Sequence, residues 1–203
     1  ALQEVPALIA EHAARLLRGK AAAIRLLDRE GDTLVVGGSH GLSRAYVDKG
    51  PVRVERSLAD AEALAGRIVE IRDVGNDPRF QYPEEARREG LHSLLSCPMR
   101  ANQRTLGVIR VYTGEPRAFS DEDQQLLMNL ANLGAVAIAN AKSYGDLQAL
   151  DNQRVWFART THHQLRSPLA AVQSALDAFP YAGPVTDAQK DLLARARRRI
   201  QDA

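Results

Sequence analysis

Sulfur is scarce in this sequence, with one cysteine, Cys97, and two methionines among 203 residues. A single thiol excludes an internal disulfide framework and a multi-cysteine zinc centre, and a reducing, cytoplasmic setting is the natural expectation. Long apolar runs are also missing. None approaches the ~20 residues that a membrane span requires, so no span is expected within the chain. No signal peptide opens it: ALQEVPALIAEHAARLL is amphipathic and carries acidic residues. The sequence begins without Met inside a helical pattern. It therefore reads as a piece of a longer chain, and an upstream membrane anchor stays open. Excess charge is lacking as well, with 27 basic and 25 acidic residues and a net charge of +2. That argues against a nucleic-acid partner held by broad phosphate contacts. The one dense basic run, Arg195, Arg197, Arg198 and Arg199, lies on a helical pattern and reads as a solvated helix face.

What is present is an apolar fraction of 45% arranged in two different periods. Leu8, Ile9, Ala13, Leu16 and Leu17 recur at helical spacing, with Gly19 as the expected cap. Ala21 to Leu27 and Thr33 to Val36 read as strands joined by a turn at Glu30-Gly31-Asp32. Ser57 is placed to cap a short helix through Leu64 that ends at Gly66. Arg67 to Val74 reads as a strand, Gly75-Asn76-Asp77-Pro78 as a turn, and Glu84 to Glu89 as a short helix stopped by Gly90. Ser93 to Met99 and Thr105 to Thr113 form a hairpin pair around Ala101 to Arg104. Ser120 to Asp123 has the S-x-x-D form of a capping box, and a long helix follows. Hairpin-linked strands between helices predict an α+β layer arrangement, an antiparallel sheet with flanking helices.

From Asp121 the helical pattern runs to about Ala178, far longer than an ordinary globular helix. Leu126, Leu130, Leu133, Ala137, Tyr144 and Leu147 form one seam, with Asn140 filling its gap. Val155, Ala158, His162, Leu165, Leu169, Val172, Leu176 and Phe179 form a second. The two seams differ in phase, and the shift falls in the polar stretch Gln148 to Arg154, where rotation or bending could be transmitted. Phe179 to Pro184 is a turn, and Thr186 to Gln189 is a T-x-x-Q capping box for a last helix with Leu192, Leu193, Ala196 and Ile200 on its apolar side. Two helices bury two apolar stripes poorly alone, which predicts a homodimer closing a four-helix bundle.

Two resemblances follow from these residues. AAAIRLLDREGDTLVV, DVGNDPRFQYPEEARREGLHSLLSCPMR and LGVIRVYTGEPRAFSDEDQQLL together resemble a GAF domain over about Leu2 to Leu147. The resemblance implies a six-stranded-type antiparallel sheet and a ligand pocket, without naming the ligand. GAF domains bind cyclic nucleotides, bilins, haem, small metabolites or nothing. HHQLRSPLAAVQSAL resembles the H-box of sensor histidine kinases, a His followed by an acidic or amide residue and then Leu-Arg-Thr/Ser-Pro-Leu. Residue by residue, the phosphoacceptor falls on His163. Gln164 takes the usually acidic place and positions the imidazole, Ser167 is a candidate for orienting water in the reverse, phosphatase reaction, and Pro168 is the kinking proline. Proline removes an N–H and clashes with the carbonyl four residues back, here that of Gln164, so a bend is expected beside His163. His162 sits on the seam and reads as a packed bundle residue. His163 is turned about 100° from it, so the two do not readily chelate one metal. No metal site is expected.

The implied organisation is a GAF sensor over 1–147, a helical connector over 148–154 and a dimerisation and phosphotransfer hairpin over 155–203. The family's ATP-binding domain, with its Asn-bearing helix and Gly-rich lid segments, has no counterpart here. ATP thus enters only through a separate kinase domain of the same protein, and this chain alone should be inactive. The implied partners are a second copy, that ATP-binding domain and the receiver domain of a response regulator, whose aspartate takes the phosphoryl group. The rival reading is a non-catalytic dimeric sensor that regulates another kinase, and Gln164 in the acidic position supports it. Three further side chains are candidates for the ligand site. Cys97 alternates with Leu95 and Met99 and reads first as a small buried residue. As a thiol enzyme it would lack a resolving partner, and Pro98 after it weighs against bilin attachment. His40 and His92 flank strands, and nothing in their spacing singles either out as a haem ligand.

Overall fold

The computed structural model describes residues 4–179, 183, 184 and 186–201, and along its last two helices leaves out the side chains at 151, 152, 154, 155, 158–169, 200 and 201. The chain divides into two compact units, Ala1–Gly145 and Asp146–Ala203.

The first unit is built on a six-stranded sheet in the order β3-β2-β1-β6-β5-β4, antiparallel at every pairing. Its strands are β1 (Ala21–Leu27), β2 (Thr33–His40), β3 (Val52–Arg53), β4 (Val69–Ile71), β5 (Leu94–Ala101) and β6 (Arg104–Tyr112). Helix α1 (Glu4–Leu16) precedes them. Between β2 and β5 come α2 (Arg44–Val47), a single 3-10 turn at Val54–Arg56, α3 (Leu58–Leu64) and α4 (Pro83–Glu89). After β6 the chain enters α5 (Asp121–Ala178) and then α6 (Asp187–Gln201).

Two-residue alternation sorts the strand side chains into two cores. Ala22, Ile24, Leu95, Cys97, Met99, Ile109 and Val111 face α1 and the start of α5, where Ala10, Ala13, Ala14, Leu17, Leu127, Ala131 and Ala135 meet them. Ala21, Ala23, Leu94, Val108 and Tyr112 face the other way, toward Tyr46 of α2, Ala59 and Ala63 of α3 and Ala86 of α4. The α+β arrangement expected from the sequence is therefore present, with helices on both sides of the sheet.

Several local expectations are refined. Helix α1 buries Pro6, Ala10, Ala13 and Ala14 rather than its leucines, and Leu8 and Leu16 are more than half exposed. Small residues are required because this helix lies close on β2: a Cβ at Gly38 would come within 2.4 Å of the Ala7 backbone nitrogen. Arg18, not Gly19, takes the left-handed conformation after α1, and the Gly19 N–H donates to the Ala14 carbonyl at 2.8 Å. Strand β2 extends four residues past Val36, and β4 is shorter than Arg67 to Val74. The hairpin between β5 and β6 turns on Asn102 and Gln103, both at positive φ. The capping box before α5 is reciprocal, with Asp123 N–H donating to Ser120 Oγ at 3.2 Å and Ser120 N–H to Asp123 Oδ2 at 3.1 Å.

In the second unit α6 folds back on the end of α5. Gln189 Oε1 accepts from the Thr186 N–H at 2.9 Å and opens the helix. Arg197 Nη2 donates to the Leu176 carbonyl at 3.2 Å and pairs with Asp177 at 2.9 Å. Part of the basic run thus holds the hairpin together, while Arg195 pairs along its own helix with Asp191. Among the described residues no helix is long and apolar enough to cross a membrane.

Candidate functional site

The face of the sheet beneath α2, α3 and α4 carries charge where a core would be apolar. Arg25 is the fifth residue of β1 and Arg110 the seventh of β6, each in the middle of an apolar strand. Register pairs Ala23 with Arg110 and Arg25 with Val108, so the two arginines are diagonal neighbours on one face. Such diagonal positions lie ~7–8 Å apart, within reach of long side chains. Ser96 of β5 is directly opposite Arg110. Arg25 sits beside a register shift against β2, where Ile24 pairs with Gly38 and Arg25 with Val36. That leaves Gly37 as an extra residue, a bulge of the kind that re-aims a side chain. Gly107, at φ 158°, allows β6 to approach here, since a Cβ would fall 2.0 Å from the Arg25 carbonyl oxygen.

Arg25 is 1% exposed and Arg110 2%. One carboxylate, Asp60 at 2% exposure, faces them from α3. It is ion-paired with Arg110 Nη2. Its other oxygen accepts from Ser57 Oγ at 2.5 Å, so Ser57 spends its hydroxyl on Asp60 rather than on capping α3. Arg110 Nη1 donates to Tyr112 Oη at 3.3 Å. Arg25 Nε and Nη1, Arg110 Nε and Ser96 Oγ are all buried without a hydrogen-bond partner. Tyr46 stands edge-on to Tyr112, ring centroids 6.3 Å apart. Lys49, half-buried at the rim, places Nζ 3.4 Å from the Tyr46 ring centroid and 5.4 Å from that of Tyr82.

The protonation equilibria follow from this crowding. Burial disfavours the Arg110 charge, but Asp60 and Tyr112 together more than offset it and the guanidinium is held more firmly protonated than usual. Arg25 is lowered, first by burial and then by Arg110. Lys49 is brought down to about 7 by burial and by the same two arginines. Burial, with Tyr112, pushes the Tyr46 phenol upward. The site is thus a buried, donor-rich, cationic patch with one carboxylate engaged on both oxygens.

The residues singled out from sequence lie elsewhere. Cys97 is on the opposite face of β5, fully buried among the α1 and α5 core, and burial raises its thiol to about 12. His40 ends β2 and borders an open hollow with Glu4, Leu8 and Glu11 of α1. His92 precedes β5, its Nδ1 3.0 Å from the Arg72 carbonyl oxygen. The backbones of His163, Gln164, Ser167 and Pro168 are on α5, and their side chains lie outside the described residues. Sequence reading passed over Arg25, Arg110 and Asp60. The available signal was a repeated one: Ile24-Arg25-Leu26 and Ile109-Arg110-Val111 each set a lone arginine on one side of an apolar strand.

The Cys97 environment makes a prediction. Val approximates the thiol's volume, so Cys97→Val should change stability by less than about 1.5 kcal/mol. With the thiolate so disfavoured, the native chain at pH 8 should not react with a disulfide reagent until denaturant is added. Rapid native labelling would show the thiol to be accessible.

A six-stranded antiparallel sheet with a helix pair on one face and short helices closing the other is the architecture of a sensory α+β domain. A family model described as the GAF domain matches residues 1–139, and the chain belongs to that family. Solved structures agree in fold. The GAF domain of a phosphoenolpyruvate-protein phosphotransferase (ptsP) from Coxiella burnetii is similar at 20% identity, over 72% of this chain and 87% of that one, with a TM-score of 0.64. The corresponding GAF domain from Acinetobacter shows 23% identity over 70% and 85%, with a TM-score of 0.60. A domain assigned to a two-component sensor histidine kinase protein from Sinorhizobium meliloti 1021 shows 19% identity over 73% and 97%, with a TM-score of 0.58. A search of curated proteins finds no match.

Proposed function

We propose that this chain is the sensory and phosphoacceptor portion of a two-component histidine kinase. The GAF unit receives a signal and governs phosphorylation of His163, which then passes its phosphoryl group to an aspartate on a response-regulator receiver domain. The observation that carries the reading is the HHQLRSPL motif on the helix that leaves the GAF sheet without interruption, α5. A separate ATP-binding domain delivers the γ-phosphate to the neutral imidazole, and an internal, cytoplasmic location follows from that chemistry. The rival is a dimeric GAF sensor that regulates another kinase by helix contacts.

Gln164 distinguishes the two. A glutamine carbonyl accepts a hydrogen bond from an imidazole N–H and fixes the reactive tautomer, but it does not take up the proton near neutral pH. A positioned general base contributes about 10²–10⁴-fold, although a proton on Nδ1 can also leave to water after transfer. In a labelling assay with ATP and an ATP-binding domain supplied in trans, Gln164→Glu should hold or raise the initial rate. Gln164→Leu should lower it. Loss of label in the Glu variant with label retained in the Leu variant would sink this role for Gln164. Absence of label in every variant favours the adaptor.

The functional unit is a homodimer through the helical region, closing a four-helix bundle. Large apolar side chains support this, with Leu133, Tyr144 and Leu147 each more than 60% exposed on a single chain, along with Trp156, Phe157 and Leu192. An open apolar hollow of about 350 Å³ runs between α1 and α5, lined by Val5, Leu8, Ile9, Leu130, Leu133 and Ala137. Light scattering at micromolar concentration should give a dimer for the full chain and weaker association for a chain ending at Lys142. A monomeric full chain contradicts the bundle.

A further inference from the structure

The sheet face that holds Arg25 and Arg110 has more hydrogen-bond donors than the protein can satisfy. Arg25 Nε and Nη1, Arg110 Nε and Ser96 Oγ are each buried and unpartnered, and all belong to this one face. Asp60, the one carboxylate beside them among the described residues, is already engaged on both oxygens, by Arg110 and by Ser57. A guanidinium kept for packing alone would be a poor choice at this position. Methionine or leucine fills the same space without a charge to desolvate. We propose that this face binds the carboxylate or phosphate group of a small metabolite, with Arg25 as its principal ligand and Arg110 and Ser96 completing the donor set.

The geometry supports an oxyanion rather than a neutral or cationic ligand. Register sets Ser96 opposite Arg110 and Arg25 diagonal to it, so the donors converge from three adjacent strands, β5, β6 and β1. The planar fork of a guanidinium matches a carboxylate or a phosphate with two parallel hydrogen bonds. Burial strengthens those bonds, because water competes little there. The Asp60–Arg110 pair fixes one guanidinium and leaves the other free to turn toward a guest. Lys49 lies at the edge of this face. Its half-buried amine sits over the Tyr46 ring beside Tyr82 and, brought down to about 7, is mostly neutral at pH 7.5 until an arriving anion favours its protonated form. The cover consists of short helices, α2 with four residues and α3 and α4 with seven each, which can open locally at small cost. The proposal rests on the sensory reading of the GAF unit, yet its test reads binding alone. Failure of His163 labelling leaves it standing, and failure of anion binding leaves the phosphotransfer reading standing.

The experiment is thermal unfolding of the full chain at pH 7.5 in potassium chloride, acetate, succinate and inorganic phosphate at matched ionic strength. At least one of the three oxyanions should raise the melting temperature above its value in chloride, by an amount that grows with the logarithm of concentration. Response to acetate or succinate identifies a carboxylate ligand, and response to phosphate identifies a phosphoryl one. Arg25→Met should abolish the rise while melting at the same temperature as the natural chain in chloride, or higher. Should that variant fail to fold, Ser96→Ala serves in its place and should shrink the rise. The proposal is overturned if no oxyanion exceeds chloride, or if the rise survives Arg25→Met, or survives undiminished in Ser96→Ala.

Discussion

Asp60→Asn is expected to lower the stability of the GAF unit by about 3–5 kcal/mol, the usual cost of stripping one partner from a buried ion pair. Among the described residues this carboxylate is the one negative charge set against Arg25 and Arg110, and neither arginine has solvent to turn to. Asparagine keeps the shape of the side chain and can still meet Ser57, so the loss isolates the charge. Against a total stability of ~5–15 kcal/mol this is a large fraction. For a domain of this size the melting temperature should fall by roughly 6–20 °C. Equilibrium unfolding in urea measures it directly. Adding Arg110→Met to Asp60→Asn should recover much of the loss, because the uncompensated charge is then gone. A drop below about 1 kcal/mol for the single variant would mean that the pair does not hold the α3 side of the core to the sheet.

His163→Gln is expected to abolish acid-labile phosphorylation completely, and His162→Ala to leave it. Neighbouring positions on a helix differ by about 100°, so a single attacking domain can address one of the pair and not both. In the proposed bundle, the seam of Val155, Ala158, His162, Leu165 and Leu169 would give His162 to the interior and His163 to the rim. Alanine at 162 should cost dimer stability through the space it leaves, without removing the nucleophile. Label that survives His163→Gln would move the phosphoacceptor and undo the assignment.

Period-two alternation made the sheet legible in the sequence. Leu95, Cys97 and Met99 share the helix-facing side as their spacing indicates, and the Ser120 capping box marks the start of α5 correctly. The short elements α2, β3 and the 3-10 turn were not legible, since two to four residues carry no period. Their placement depends on tertiary contacts such as Tyr46 against Tyr112. Leu8 and Leu16 looked like core residues. They turn outward because the tight approach of α1 to Gly38 admits only alanine and proline beneath it. The cationic face was the largest omission. A charged residue inside a strand ordinarily reads as its solvent-facing side, and only the cover of α2, α3 and α4 converts Arg25 and Arg110 into buried groups. The stretch HHQLRSPL stands out in the sequence because it is contiguous, and its side chains lie outside the described residues. The donor cluster was not legible, because it assembles from β1, β5 and β6, residues 25 to 110.

The measurement that bears most directly on the sensor-kinase reading is the site of phosphate on the natural sequence. The full chain, incubated with ATP and a sensor-kinase ATP-binding domain, should acquire an acid-labile, alkali-stable phosphoryl group. Peptide mapping under neutral conditions should place it on His163, and a receiver domain added afterwards should remove it. A chain that takes up no label while the same ATP-binding domain phosphorylates its own cognate hairpin, or that carries the label on another residue, contradicts the account.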